Sequence, residues 1–367
     1  MFEYVFLLTI ITMVEQATAF KIQKVKQSRV NQLDPKNIVF GTLFTDHMFV
    51  ADCVNGVWQT PEILPYGDIA YNPALASLHY GQSIFEGMKA FRNVNDEVVM
   101  FRPEENFKRF NISAERMCMA QVPKDIFLGG LNEVLKMDAA WVPKGEDNSL
   151  YLRPFMFASD VYLGVRPSYN YRFMIIMSPA GKYYSEPPKV KIETEFIRAA
   201  TGGVGYAKCA GNYAASLYPA KLAQEQGYTQ LLWTDAQTHT KFEESGTMNV
   251  FFVKNGKLLT PITSSTILKG ITRDSLITIA KDLGYEVSEQ DVYVKDIVDG
   301  IRDGSVTEVF GAGTAVVVSP FSGIGFEGED IALPTITSSS ISSVLKAKLD
   351  GIRKGEFADT HCWVYKV

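Results

Sequence analysis

The stretch TGGVGYAKCAGNYAA, residues 201–215, sets a single lysine, Lys208, among glycines, alanines and aromatic side chains. Glycines at 202, 203, 205 and 211 permit close backbone approach or a left-handed conformation, and they are costly to order, so a reason for them is expected. The small run Cys209, Ala210, Gly211, Asn212 leaves room beside the lysine for something bulky. A lysine amine in so weakly polar a setting suits nucleophilic or covalent-carrier chemistry. The competing reading is an ordinary solvated lysine, and the window alone does not choose between them. A helix is expected from about 213 to 227, where the apolar period is near 3.6.

Outward from this stretch, the chain of 367 residues exceeds the size at which one core usually keeps growing, which predicts two domains. Hydrophobic residues at 46% and charged residues at 21% are those of a globular protein. The net charge of -5 comes without a long run of either sign, which excludes the basic stripe of a nucleic-acid binder. Cysteines at 53, 118, 209 and 362 and histidines at 47, 79, 239 and 361 stand singly. That spacing predicts neither a metal site nor a disulfide scaffold, and fits a reducing, cytoplasmic location. The apolar run VFLLTIITM at 5–13 falls short of the roughly 17 residues that span a membrane. Residues 1–36 are therefore expected to be an N-terminal extension and arm, with no membrane partner.

The pattern predicts an α/β fold of the α+β type. Strands are expected at 39–50 and 57–58 around an Asn55-Gly56 hairpin turn. Helices are expected after Pro103 and over 124–141, and strands at 149–157 and 171–177. The Pro- and Gly-rich SPAGKYYSEPP at 178–188 reads as a linker between a small domain at 37–177 and a larger one at 189–367. In the larger domain, strands are expected at 189–197, 230–234, 249–253, 257–259, 286–293 and 314–318, and helices at 271–283 and 337–348.

Neither a P-loop nor a dinucleotide fingerprint occurs. FGAGT at 310–314 is either a tight turn or an anion seat made of backbone N–H groups. Ile271 and Thr272, after Lys269-Gly270, open a helix whose unpaired N–H groups could take a phosphate, or simply be capped. Glu243 and Glu244 in KFEESGTMNVFF need a cation or donor if buried, or else form a solvated pair. Arg153 in LYLRPFMF needs a partner unless its face of the strand is wet. The phenols of Tyr80, Tyr151 and Tyr213 could face solvent or a ligand.

Taken together, VFGTLFTDHM at 39–48, YGQSIFEGMKAF at 80–91, LYLRPFMF at 150–157, GGVGYAKCAGNYAAS at 202–216, EESGTMNVFF at 243–252, LKGITRDSL at 268–276 and EVFGAGTA at 308–315 resemble the branched-chain amino acid aminotransferases. These are fold-type IV pyridoxal-phosphate enzymes. The resemblance implies two domains with pyridoxal 5'-phosphate at their interface, and a homodimer in which a partner loop completes each pocket. It implies transamination of L-leucine, L-isoleucine and L-valine with 2-oxoglutarate, giving branched-chain 2-oxo acids and L-glutamate. By the same resemblance Lys208 is the Schiff-base lysine, Tyr213 meets the cofactor's 3′-oxygen and Glu244 its pyridine nitrogen. Arg109, Ile271 and Thr272 hold the phosphate, with Thr314 on another cofactor-side turn. Tyr80, Phe85, Tyr151, Arg153, Tyr183 and Thr247 surround the substrate, and the backbone of Thr314 and Ala315 holds its α-carboxylate. Animal members carry a redox-sensitive CxxC after the glycine-threonine turn; here Ala315 is followed by Val316, Val317, Val318 and Ser319, so thiol control at that site is absent.

Overall fold

The computed structural model describes residues 19–367; the apolar run at 5–13 and the first half of the expected arm lie outside the described residues. Two ten-stranded sheets, each with its own helices, build a two-domain α/β molecule. The first sheet runs Lys21–Ile22, Glu62–Pro65, His47–Val54, Tyr171–Ala180, Ser149–Ala158, Met88–Arg92, Val98–Phe101 and Val364–Lys366, with Val57–Trp58 and Ser83–Phe85 at its side. The second runs Val287–Gln290, Lys257–Pro261, Met248–Lys254, Phe242–Ser245, Gln230–Thr234, Lys189–Glu193, Gly323–Phe326 and Glu329–Ala332. Val306–Gly313 also pairs with Met248–Lys254, and Val317–Pro320 with Val306–Gly313.

Alternation along Ser149–Ala158 sends Leu150, Leu152 and Met156 into a core shared with Phe49, Phe173, Phe110 and Leu131. Helix Pro103–Arg116 starts where expected, with Pro103 in its first turn and Glu104 and Glu105 at its positive end. Each such Phe or Leu, fully buried, contributes about 1.5–3 kcal/mol. The second sheet is covered on both faces. Helix Val294–Arg302 packs on one, and helices Ile271–Asp282 and Ile341–Lys354 on the other. Met248–Lys254 is accordingly apolar on both sides.

The two sheets meet through one apolar cluster in which Phe91, Val99 and Phe101 of the first pack with Leu276, Leu349 and Ile352 of the second domain's helices. The chain leaves the first sheet at Ala180 and enters the second at Lys189. Val364–Lys366 then returns to pair with Val98–Phe101, so the last residues, which a linear division at 189 groups with the second half, belong to the first sheet.

Other departures have local causes. The helix expected over 124–141 splits into a π-turn at Asp125–Gly129, a helix at Gly130–Met137 and a 3-10 turn at Ala139–Trp141. At Gly130 a Cβ would sit 2.7 Å from the ring of Phe49, and Asp138 turns away to accept from the His47 backbone N–H at 2.9 Å. The first strand begins at His47 rather than 39. Val294–Arg302, to which the sequence pattern assigns no element, is helical. Residues 314–316 form a turn rather than a strand.

Candidate active site

Lys208 stands where the two sheets face each other. Its backbone N–H donates to Ser113 Oγ at 2.9 Å and its carbonyl accepts from Phe85 N–H at 3.0 Å, wiring the loop to the first domain on both sides. The loop is braced internally by Asn212, whose Nδ2 donates to the carbonyls of Val204 and Ala207, both at 3.0 Å. The cramped setting is real at Gly205, where a Cβ would lie 2.7 Å from Thr266 backbone, whereas a Cβ at Gly211 would meet nothing. The lysine Nζ lies 2.8 Å from Tyr213 Oη and 4.7 Å from the centroid of the Phe85 ring.

A cavity of about 510 Å³ opens at this amine. Around it the structure gathers Lys208, Tyr213, Glu244, Arg109, Ile271, Thr272, Thr314, Ala315, Phe85, Tyr151, Arg153, Tyr183 and Thr247. Tyr80 is the exception among the expected residues. It is exposed, and its hydroxyl donates to the Leu163 carbonyl away from the cavity of its own chain.

Glu243 and Glu244 alternate across strand Phe242–Ser245, and only Glu244 faces the cavity. Its carboxylate is buried between Arg198 Nε at 2.9 Å and the Leu268 N–H at 2.6 Å. Burial pushes this carboxyl above its ordinary range, against the pull of Arg198, the Leu268 N–H, Lys208 and Arg109. Arg198 also donates to Thr266 O at 2.7 Å and reaches Gly205 O at 3.3 Å, so one guanidinium ties the acid to the lysine loop. Glu243 points the other way and accepts from Thr266 Oγ1 at 2.5 Å.

Arg109, on helix Pro103–Arg116, is fully enclosed by a bidentate pair with Glu86, Nε to Oε1 at 2.7 Å and Nη2 to Oε2 at 2.8 Å. Its Nη1 donates to the Lys269 carbonyl at 2.9 Å. Three of the five donors of a guanidinium are thereby committed, leaving two for an anion in the cavity. Burial alone would raise the Glu86 carboxyl, but the charge and hydrogen bonds of Arg109, with Lys208 and Asn106, hold it below the usual range. Arg109 delivers its charge to the Lys269-Gly270 turn, where helix Ile271–Asp282 starts with its first two residues, Ile271 and Thr272, lining the cavity. The combined set of helix terminus, cation and Thr272 hydroxyl has the donors that an anion such as a phosphate could use.

On the opposite wall Arg153 stacks 4.6 Å from the Phe85 centroid, and its Nη2 donates to Tyr151 Oη at 3.0 Å. Its buried Nε has no partner among the described residues. Phe40 caps Tyr151 edge-on at 5.0 Å. Gly87 must lack a side chain, since a Cβ there would lie 2.1 Å from Tyr151 Oη. Glu86, Arg198 and Phe40 are the site residues that sequence reasoning missed. Glu86 was legible, because a carboxylate between two apolar strand ends, Phe85 and Met88, demands a cation once buried. Arg198 and Phe40 lie in irregular segments with no periodicity to mark them. Among the described residues no cluster of His, Cys, Asp and Glu could hold a metal, and no helix is long and apolar enough to cross a membrane.

The family model described as amino-transferase class IV matches residues 83–324. Branched-chain-amino-acid aminotransferase 2 of Bacillus subtilis is 41% identical over 91% of this chain and 93% of its own. The branched-chain amino acid aminotransferase of Escherichia coli superimposes with a TM-score of 0.73 at 27% identity, over 87% of this chain and 98% of that one. The branched-chain amino acid aminotransferase of T.th., solved in complex with N-(5'-phosphopyridoxyl)-L-glutamate, gives 0.70 at 26% identity over 86% and 97%.

Proposed function

The chain belongs to the branched-chain-amino-acid aminotransferases of the class IV, fold-type IV pyridoxal-phosphate family, and from that premise we propose that it interconverts L-leucine, L-isoleucine and L-valine with their 2-oxo acids, using 2-oxoglutarate and L-glutamate as the other pair in a ping-pong sequence. The observation that carries this reading is one cavity joining an amine, Lys208, to a buried carboxylate, Glu244, and to a helix terminus backed by Arg109. These three features match the three chemical handles of pyridoxal 5'-phosphate, its aldehyde, ring nitrogen and phosphate. When bound, the cofactor supplies an electron-withdrawing ring that makes the Cα–H bond of an attached amino acid acidic.

The chain's own residues do the rest. Lys208 would hold the cofactor through Nζ at its aldehyde carbon, and the same Nζ, when free, would act as the base that takes the proton from the substrate's Cα and as the acid that delivers it on the far side of the substrate nitrogen. Tyr213, 2.8 Å from that amine, orients it and donates toward the ring oxygen. Glu244, locked by Arg198, keeps a proton on the ring nitrogen. Thr272 and the helix N–H groups, with the two free donors of Arg109, hold the phosphate. Thr314 and Ala315 seat the α-carboxylate. Phe85, Tyr151 and Phe40 offer the branched side chain an apolar wall, where each buried methylene is worth about 0.8 kcal/mol. Such a wall separates neighbouring aliphatic homologues by only about 1–3 kcal/mol, so all three branched-chain amino acids should enter. Arg153, with a spare buried donor, is assigned the γ-carboxylate of glutamate.

L-Leucine with 2-oxoglutarate should turn over and D-alanine should not. The reverse preference would place the chain with D-amino acid aminotransferases, and pyruvate release from aminodeoxychorismate would place it with the lyases. Glu244→Gln is expected to retain the cofactor while slowing both half-reactions roughly 10²-fold; wild-type half-reaction rates in stopped flow would remove Glu244 from its role. We also read the protein as a homodimer. Val161, Leu163, Val165 and Tyr169 are exposed, on the loop whose Leu163 carbonyl accepts from Tyr80, and exposed apolar side chains grouped in this way are candidates for cover by a second copy. A sedimenting mass of twice 40.9 kDa is expected, and a monomer at micromolar concentration would contradict it.

A further inference from the structure

Behind the turn that carries Thr314 and Ala315 lie two buried cations for which the proposed chemistry has no use. Lys89, on strand Met88–Arg92, is 7% exposed, and Arg353, on helix Ile341–Lys354, is 4% exposed. Lys89 Nζ donates to the Ala315 carbonyl at 2.7 Å. Two residues earlier on the same segment, the Gly87 carbonyl accepts from Thr314 Oγ1 at 3.1 Å. The first domain thus grips two successive residues of the turn from behind, while the same two residues line the active-site cavity in front. The turn needs holding, because Val317, which closes it, sits at φ +65°, a conformation that β-branched residues rarely adopt.

Arg353 lies over the Phe101 ring at 4.5 Å and the Phe91 ring at 5.6 Å, which compensates its charge only in part. Its Nε and Nη1 are buried with no hydrogen-bond partner among the described residues, Asp350 standing 3.6 Å from Nη1. It borders a cavity of about 20 Å³ together with Lys89, Thr272 and Thr314. Burial, then repulsion from Arg353 and Lys346, offset in part by Asp350 and Asp147, brings Lys89 down to about 7. A pair of cations so incompletely compensated gains from an anion on the far side of the turn.

We propose that Lys89 and Arg353 are positioning residues for substrate: they fix the turn bearing Thr314 and Ala315 and bias it toward the substrate's α-carboxylate. This rests on the assignment of that turn as the carboxylate seat. Wild-type turnover of L-leucine tests the function by itself. The variants are read only as ratios to wild type, so failure here leaves that function standing.

The test is calorimetric titration of the holoenzyme with two halves of leucine: 4-methylpentanoate, which keeps the carboxylate, and 3-methylbutylamine, which lacks it. At about pH 6.5, Lys89→Met should weaken 4-methylpentanoate about tenfold, as expected for losing a charge-assisted contact, and leave 3-methylbutylamine within about twofold. Lys89→Arg should recover most of the loss, and Arg353→Met should show the same selectivity at about threefold. Wild-type affinity for the acid should also fall more steeply toward pH 8.5 than that of Lys89→Met, because the protonated amine is the stronger attractor. Parallel weakening of both ligands would reveal a packing role only, and unchanged carboxylate affinity would remove the role altogether; either overturns the proposal. Should Lys89→Met fail to fold, Lys89→Arg and the wild-type pH dependence carry the same comparison.

Discussion

Lys208→Ala is expected to leave a folded protein that takes no covalent cofactor and has lost at least about 10³-fold in turnover, the amount a general acid–base group commonly supplies. Folding should survive because the loop is held by backbone bonds to Ser113 and Phe85 and by the Asn212 side chain, none of which needs the amine. What disappears is the Nζ contact to Tyr213 and the only amine among the side chains lining this cavity. Borohydride treatment followed by denaturation should fix the cofactor to the wild-type chain and wash it from the variant. Cofactor fixed to Lys208→Ala in equal amount would move the attachment point elsewhere.

Arg109→Leu should produce the largest loss of stability among the site variants. It strands Glu86, whose carboxylate is wholly enclosed, and breaking a buried pair from one side costs about 3–5 kcal/mol. The pH dependence follows from the direction of the Glu86 shift. In the wild type the folded value lies below the ordinary 4.5, so the pair's contribution is complete above that value and is lost as pH falls through the lower folded one. In the variant burial, the largest influence, is opposed only by Lys208 and the Asn106 hydrogen bond and raises the carboxyl, so its penalty is greatest at neutral pH and shrinks as the solution is acidified. Urea denaturation of the cofactor-free proteins should therefore show a gap that is wide at pH 7.5 and narrower near pH 5. A gap independent of pH would mean that Arg109 contributes packing rather than charge. The variant should also bind cofactor more weakly, because the turn before Ile271 loses the guanidinium at the Lys269 carbonyl.

Much of this site was legible in the sequence where chemistry and local pattern agree. A buried acid must find a cation, which marks Glu243 and Glu244 together; the choice of Glu244 came from resemblance, and it is the strand Phe242–Ser245, to which the pattern assigns no element, whose alternation separates the two. The Gly270 entry to helix Ile271–Asp282 and the helix after the Lys208 loop were likewise readable from period and punctuation. The identity of the ligand was not; it came from resemblance among separated motifs.

What escaped has physical reasons. Helix Val294–Arg302 carries Val294, Ile297, Val298 and Ile301 on one side, a helical spacing, but at nine residues it is short, and the apolar Val292 and Tyr293 immediately before it blur its start. The break in the helix near Gly130 depends on a distant ring, Phe49, which no local window contains. Val317–Pro320 starts late because Lys89 and Gly87 hold the turn from another sheet. Phe40 and Arg198 act through Tyr151 and Glu244, contacts far outside any local window. Tyr80 faces away from its own chain's cavity, as a residue serving a neighbouring copy would.

The central claim is that Lys208, Glu244 and the Arg109-backed helix terminus form one pyridoxal-phosphate site open to branched-chain amino acids. The absorbance spectrum of the purified protein, taken before and after L-leucine is added without an acceptor, tests it in one step. A band near roughly 410–430 nm, the range expected of a lysine-held cofactor, is expected to be lost to shorter wavelength on leucine addition and recovered on adding 2-oxoglutarate. A protein reconstituted with pyridoxal 5'-phosphate that shows no such band, or a band that leucine leaves untouched, would contradict the claim.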